Sequence, residues 1–326
     1  MTTTTNEVVS PSPARSFGSR RFLNCGYFVG LKTHFRDPQV VHFFGEEYAV
    51  YLDEDAQAHA VLNSCPHRGS RLVLPEKTGQ VVRGCLRCPY HGYLVSADNG
   101  PRLKELQVQT IGVAVFFGFG DYQVDPRLAT FFTDPELTLI AHDQARIKVP
   151  YERALENALD YDHLLVAHDT TYYGSTLTQL SPVKYQVEDK AIFTQAVRTR
   201  DRRWSQILRY PVLLSLQAKE AMSADYYFPT GAVVKVPSRG PDFEAFLSYF
   251  PRSSHETLFE QYTFVRSINP LVTWVSKQTH RTVTAIFNED VLVLNNLCQT
   301  SPNQVAYPND ALVNALHELL DTQPWT

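Results

Sequence analysis

The sequence predicts an α+β protein, with an N-terminal all-β domain followed by a larger domain whose antiparallel sheet is flanked by helices. Three observations predict it. From Val40 to Gly120 the chain runs in short β-branched and aromatic segments without a long helical period. Helical spacing first appears after Pro150, over Tyr151–His168. Grouped strand-like runs then follow, closed by two further helical patterns near the C-terminus.

The elements follow in order. Residues 1–19 are polar and rich in Pro, Ser and Thr, and read as a loose tail. Residues 20–125 form the first domain. Its strands are expected at Val40–Phe44, Tyr48–Leu52, Ala58–Leu62, Val81–Arg87 and Thr110–Phe117, punctuated by Gly45-Glu46-Glu47 and the acidic Asp53-Glu54-Asp55. Pro126 to Pro135 reads as a connection, and 126–326 as the second domain. There Tyr151–His168 is expected to be helical, with strands at Val183–Val187, Ala191–Val197, Ala232–Val236, Ala245–Phe250 and Leu258–Val265. Helical patterns cover Leu271–Leu297 and Asp310–Leu320.

The 326 residues, 44% hydrophobic and 20% charged, are enough for one large or two medium cores and exclude global disorder. A net charge of −4 gives no reason to expect nucleic acid or an anionic membrane as partner. No apolar run approaches the roughly 18–20 residues that cross a bilayer. Five cysteines are too few for a disulfide-stapled fold, and the N-terminus has no apolar signal core. A cytoplasmic protein with reduced or metal-bound thiols is expected.

Two arms carry the strongest chemical signal. Cys65-Pro66-His67-Arg68-Gly69 and Cys88-Pro89-Tyr90-His91-Gly92 each offer one thiol and one imidazole, with 20 residues between His67 and Cys88. Four such donors within 27 residues point to metal. A Cys2His2 zinc site is one reading, but zinc fingers usually place both cysteines on one arm and both histidines on the other. Mixed arms suit two irons side by side, the cysteines holding one and the histidines the other, as in a Rieske [2Fe–2S] cluster. Pro66 and Pro89 stiffen the loops, and Gly69 and Gly92 permit tight turns. Cys85 lies three residues before Cys88, in a strand-like run, and reads as a small packing residue.

CPHRGSRL together with CPYHGY resembles the Rieske signature of ring-hydroxylating and related Rieske non-haem iron oxygenases. The segment between the arms is a little longer than usual there, which implies a longer loop. Tyr93 stands where Trp often follows the second His-Gly, which implies a different aromatic lid. Neither change removes a ligand. The resemblance continues in the Asp-x-x-His-x-x-x-x-His pattern, which falls on Asp160, His163 and His168.

Two histidines and a carboxylate with open positions form the facial triad of non-haem Fe(II) oxygenases. On a helix Asp160 and His163 share a face, but His163 and His168 lie about 140° apart. A π-bulge or a break is therefore needed for both rings to reach one metal. The remaining ligand is sought downstream, where Glu289 and Asp290 are adjacent. If that stretch is helical, Val283, Ile286, Phe287, Leu294 and Leu297 form its apolar stripe and Asp290 falls at its centre. A buried carboxylate there needs a cation. Asp290 is the chosen ligand, in agreement with the resemblance, and Glu289 a solvated or supporting group.

The resemblance implies a terminal oxygenase that contains a Rieske cluster and a mononuclear Fe(II). It would use O2, with NAD(P)H electrons from a separate reductase or ferredoxin, to hydroxylate or demethylate a small aromatic or heterocyclic compound. No glycine-rich dinucleotide fingerprint appears in the chain. The resemblance also implies a homotrimer in which Asp160 accepts a hydrogen bond from His91 of the next subunit; Asp162 is the competing residue. Residues 65–104 carry seven Lys/Arg against two acidic residues, a surface suited to an acidic redox partner. Phe193, Trp204, Met222, Tyr227, Phe228, Phe246, Tyr249 and Tyr172–Gln179 are sequence-level pocket candidates. An electron-transfer or iron-sensing protein with a degenerate second site is the competing function, and a zinc-stabilised binding protein a further one.

Overall fold

The computed structural model describes residues 15–16, 20–74, 79–100, 106–165, 167–168, 176–201, 219–236, 242–267, 269–277, 280–297, 300–301 and 310–325. The tail expectation needs one correction: Arg15–Ser16 (β1) pairs antiparallel with Thr300–Ser301 (β19), so backbone hydrogen bonding ties this dipeptide to the C-terminal region. The rest of 1–19 lies outside the described residues.

The N-terminal unit holds three small antiparallel sheets. Cys25–Leu31 (β2) joins a sheet of order β2-β10-β9, completed by Leu106–Ile111 (β9) and Ala114–Phe119 (β10). Gln39–Phe43 (β3), Glu46–Leu52 (β4) and Ala58–Leu62 (β5) form the second. Gln80–Val82 (β6), Cys85–Arg87 (β7) and Leu94–Val95 (β8) form the third. The expected strand Val81–Arg87 is a hairpin instead, because Arg83 and Gly84 turn the chain with φ of 51° and 69°. Thr110–Phe117 likewise breaks at Gly112 (φ 56°).

β2 and β10 are buried along their whole length, because each face meets a different core. Tyr27, Val29, Val115 and Phe117 pack with Phe43, Tyr48 and Val50 of the N-terminal unit. Phe28, Leu31, Ala114 and Phe116 pack with Phe246, Tyr262 and Phe264 of the large C-terminal sheet. Phe28 stacks on Phe132 at 5.3 Å and meets Phe246 edge-on at 4.9 Å. A strand with two apolar faces has no period-2 alternation to betray it.

The segment read as a connection is in part a helix, Pro126–Thr133 (α1). Asp125 caps it by accepting the Arg127 N–H, and Pro126 occupies its first turn. Leu137–Ile147 (β11) then forms one edge of an eight-stranded antiparallel sheet. Its other strands are Thr176–Leu180 (β12), Lys184–Glu188 (β13), Ala191–Asp201 (β14), Lys219–Tyr227 (β15), Gly231–Val236 (β16), Phe243–Pro251 (β17) and Thr257–Arg266 (β18). The order is β11-β18-β17-β16-β15-β14-β12, with β13 also on β14. Between β11 and β12 runs the short helix Tyr151–Leu155 (α2). The expected Leu271–Leu297 helix is two, Pro270–Lys277 (α3) and His280–Asn295 (α4), and Asp310–Thr322 (α5) closes the chain. α4 packs on β11 and β18, with Phe287 stacked on Phe259 at 4.8 Å. The α+β class follows from this all-β unit and the helix-flanked sheet. No helix among the described residues is long and apolar enough to cross a membrane.

Candidate metal centres

The two Cys/His arms share one backbone frame. In the first, Cys65 N–H donates to the Ser70 carbonyl (2.8 Å) and Gly69 N–H to the Cys65 carbonyl (2.8 Å). In the second, Cys88 N–H donates to the Tyr93 carbonyl (2.8 Å) and Gly92 N–H to the Cys88 carbonyl (3.0 Å). The fifth residue of each arm is a glycine at positive φ, 69° and 76°, the left-handed region that favours glycine. Cys65 and Cys88 are buried, while His67 and His91 are exposed with ring centroids 5.0 Å apart. Burial pushes the Cys88 thiol up, but the backbone N–H groups of Tyr90 and His91, together with Cys65 and Ser70, bring it below the ordinary thiol range. Such a thiol is ready to bind metal as thiolate. Cys85 stays apart, half-buried, with its thiol donating to the Arg83 carbonyl at 3.5 Å.

The second centre is built where a helix stops. The helical expectation over Tyr151–His168 is corrected: α2 ends at Leu155, and a single 3-10 turn covers Glu156–Ala158. Glu156 is buried there between Arg153 and His317, whose Nε2 lies 2.7 Å from Glu156 Oε1. A new 3-10 turn, Asp162–Leu165, begins after Asp160. Asp160 Oδ1 accepts the N–H groups of Asp162 (3.2 Å) and His163 (3.4 Å), so Asp160 is the cap of this turn and not a helical neighbour of His163. Beyond this interruption the rings of His163 and His168 lie at a centroid separation of 5.3 Å.

Asp290 meets them from α4, where Val283, Phe287 and Leu294 share its buried side. Asp290 Oδ1 lies 3.4 Å from His163 Nε2 and 3.2 Å from His168 Nε2. Among the described residues this is the one group of three or more metal-binding donors within 4.8 Å of one another. Asp290 Oδ1 is buried without a hydrogen-bond partner, as an oxygen placed for a cation is. Glu289, adjacent in sequence, faces the other side of His168: His168 Nδ1–H donates to Glu289 Oε2 at 2.9 Å. A carboxylate only accepts, so Nδ1 carries a proton, and in the neutral ring Nε2 is left with the lone pair that a metal would take.

Burial would raise the Asp290 carboxyl, but His163 and His168 hold it down at about 2. Burial would lower His168, but Asp290 and Glu289 raise it above the ordinary imidazole range. The donor set therefore fits a divalent ion of the facial-triad kind. Asp160 stands outside the group, with its side chain 47% exposed and Oδ2 4.0 Å from His163 Nδ1.

His163, His168 and Asp290 open on a cavity walled by Leu164, Met222, Ala224, Val234, Leu247, Val283 and Ile286, with Asn157, Gln261 and Thr263 among its polar groups. Of the aromatic pocket candidates, Tyr227 and Phe246 pack in the core beneath the N-terminal unit, and Tyr249 lies in the other core. Met222 does line the cavity, whereas Trp204 and 172–175 lie outside the described residues. Gln261 escaped the sequence reading. Its signal was a polar residue at an inward position of a strand, in step with Phe259 and Thr263.

The Rieske [2Fe-2S] domain family matches residues 27–107. Chlorophyllide a oxygenase of Chlamydomonas reinhardtii is 33% identical over 143 residues, 40% of this chain and 21% of that protein. The oxygenase component of chloroacetanilide N-alkylformylase from Rhizorhabdus wittichii is 27% identical over 164 residues, 44% of this chain and 46% of that one. The chain thus spans less than half the length of these curated relatives. Among solved structures, dicamba monooxygenase bound to dicamba superposes with a TM-score of 0.68 at 16% identity, covering 91% of this chain and 96% of that one. The oxygenase in a reduced complex with ferredoxin in carbazole 1,9a-dioxygenase superposes at 0.63 and 16% identity, covering 93% and 89%. Residues 27–107 thus form a Rieske [2Fe-2S] domain, and the chain shares the fold of dicamba monooxygenase and of the carbazole 1,9a-dioxygenase oxygenase.

Proposed function

We propose that this chain is the terminal oxygenase component of a multicomponent system. It uses O2 and NAD(P)H electrons, delivered through a separate reductase or ferredoxin, to hydroxylate or oxidatively demethylate a small aromatic or heterocyclic compound. The observation that carries the reading is the coexistence of two matched Cys/His arms with a separate His163–His168–Asp290 group that opens on an apolar cavity. Relatives named as oxygenases, and an oxygenase of this fold in complex with ferredoxin, support the activity and the partner. An electron carrier would have no use for the second group or its cavity.

In this reading residues 20–125 are the Rieske domain and 126–326 the catalytic domain. Cys65 and Cys88 hold one iron of the cluster and His67 and His91 the other, while His163, His168 and Asp290 hold a lone ferrous ion. That ion, when bound, supplies O2 activation beside the substrate. Glu289 keeps His168 in the ligating tautomer. The apolar wall excludes water and holds the compound against the histidines. Asp160, exposed at the rim, accepts a hydrogen bond from His91 of a neighbouring subunit in a head-to-tail ring of three. A reducing compartment, the cytoplasm, suits the free thiols.

Anaerobically purified protein tests the reading. About three irons per chain, a Rieske spectrum and substrate-triggered O2 uptake are expected. His163→Ala or His168→Ala should abolish O2 uptake and leave the cluster spectrum in place. Zinc in the arms, or full O2 uptake by both variants, would overturn it.

A further inference from the structure

Gln261 lies on β18 between two residues that share its face. On one side Phe259 is stacked on Phe287 of α4, and on the other the Thr263 hydroxyl is buried without a hydrogen-bond partner. Gln261 is 7% exposed and lines the cavity that holds His163, His168 and Asp290. Among the described residues no group hydrogen-bonds its side-chain carboxamide. The carboxamide is not sealed in the wall but open to the cavity, so whatever fills the cavity satisfies it or leaves it unpaired. Around it the wall is apolar, with Met222, Ala224, Val234, Leu247 and Ile286.

We propose that Gln261 is the specificity-determining contact of this cavity, and that the compound it selects is a neutral amide or lactam with an apolar body. A carboxamide offers both a donor and an acceptor, and an amide can pair with either, through its C=O or its N–H. A carboxylate would engage only the donor and leave the acceptor unpaired. A hydrocarbon would leave the buried carboxamide unpaired. The inference rests on the reading of this cavity as the substrate site of an oxygenase.

The test uses three probes of one shape: acetanilide, isobutylbenzene and the phenylacetate anion. Their binding to the iron-loaded protein is measured by equilibrium dialysis without oxygen, for the wild type, Gln261→Leu and Gln261→Glu, with the cluster spectrum as the control for folding. In the wild type acetanilide is expected to bind at least about tenfold tighter than phenylacetate. The affinity ratio of acetanilide to isobutylbenzene is expected to fall at least about tenfold in Gln261→Leu, and to fall in Gln261→Glu as well. Ratios that do not move, phenylacetate binding as tightly as acetanilide, or no saturable binding of acetanilide to the wild type overturn the proposal. O2 uptake is read separately with electrons supplied. Amide selectivity that depends on Gln261, without amide-triggered uptake, upholds this contact and sinks the oxygenase reading. Uptake with selectivity unchanged in both variants does the reverse.

Discussion

At His168 the two ring nitrogens do different work. Nδ1–H is held by Glu289 at 2.9 Å, and Nε2 faces Asp290 at 3.2 Å. Gln in place of Glu289 keeps the shape but offers a neutral carbonyl or an NH2 group, so the imidazole loses a charged acceptor. Glu289→Gln is expected to weaken ferrous iron binding about tenfold or more, read by competition with a chelator. Unchanged affinity would make Glu289 a bystander. The same cluster sets a pH window for the metal-free protein. Asp290 is held at about 2, below its ordinary value, so its contribution is complete above about pH 4 and is lost as pH falls through about 2. His168 is raised, so its contribution is complete below about pH 6.5 and is lost as pH rises through the raised value. The two shifts share the Asp290–His168 pair, with His163 adding to the first and Glu289 to the second. Thermal melts of metal-free protein should therefore peak between about pH 4 and 6.5, and iron affinity should rise with pH as His168 loses its proton. A flat melting profile from about pH 3 to 9 would count against this coupling.

At the scale of elements, the turn between β9 and β10 locks the N-terminal unit to α1. Val113 N–H donates to the Phe132 carbonyl at 3.2 Å, and Gly112 sits beside that carbonyl at φ 56°. A Cβ at Gly112 would stand 2.2 Å from the Phe132 oxygen, and backbone cannot swing aside as a side chain would. Gly45 has φ 87° but no atom within 4 Å of such a Cβ. Gly45→Ala is expected to cost only the conformational strain, about 1 kcal/mol, and Gly112→Ala at least about 2 kcal/mol, read from urea denaturation. Equal losses would refute the steric account.

At the scale of the whole molecule, Tyr90 is 61% exposed beside His91, and Asp160 is exposed at the rim of the second centre. In the proposed ring of three these two surfaces would meet. Light scattering is expected to give three times the 37.0 kDa chain mass. Tyr90→Asp, which puts a charge into that contact, should shift the protein toward monomer. It should slow single-turnover electron delivery at least about tenfold while the cluster spectrum persists. A trimer with unaltered rate in this variant would remove Tyr90 from the contact.

The sequence by itself determined what depends on near neighbours. Both Cys/His arms lie within 27 residues, and period-2 and 3.6 patterns located β5, β14, β17, β18 and the inward side of α4 that carries Asp290. Periodicity says which side of an element is apolar, because that is a property of a few consecutive residues. It does not say what the side meets. β2 went unread because it is buried on both faces, and β11 because polar His142, Asp143, Gln144 and Arg146 interrupt its apolar pattern. Only the tertiary structure decided that donor atoms of His163, His168 and Asp290 of α4 meet within 4.8 Å, and that Gln261 joins them around one cavity. The contacts of Asp290 with the two histidines span more than a hundred residues of chain, and they exist only because the large sheet packs α4 against β11 and β18.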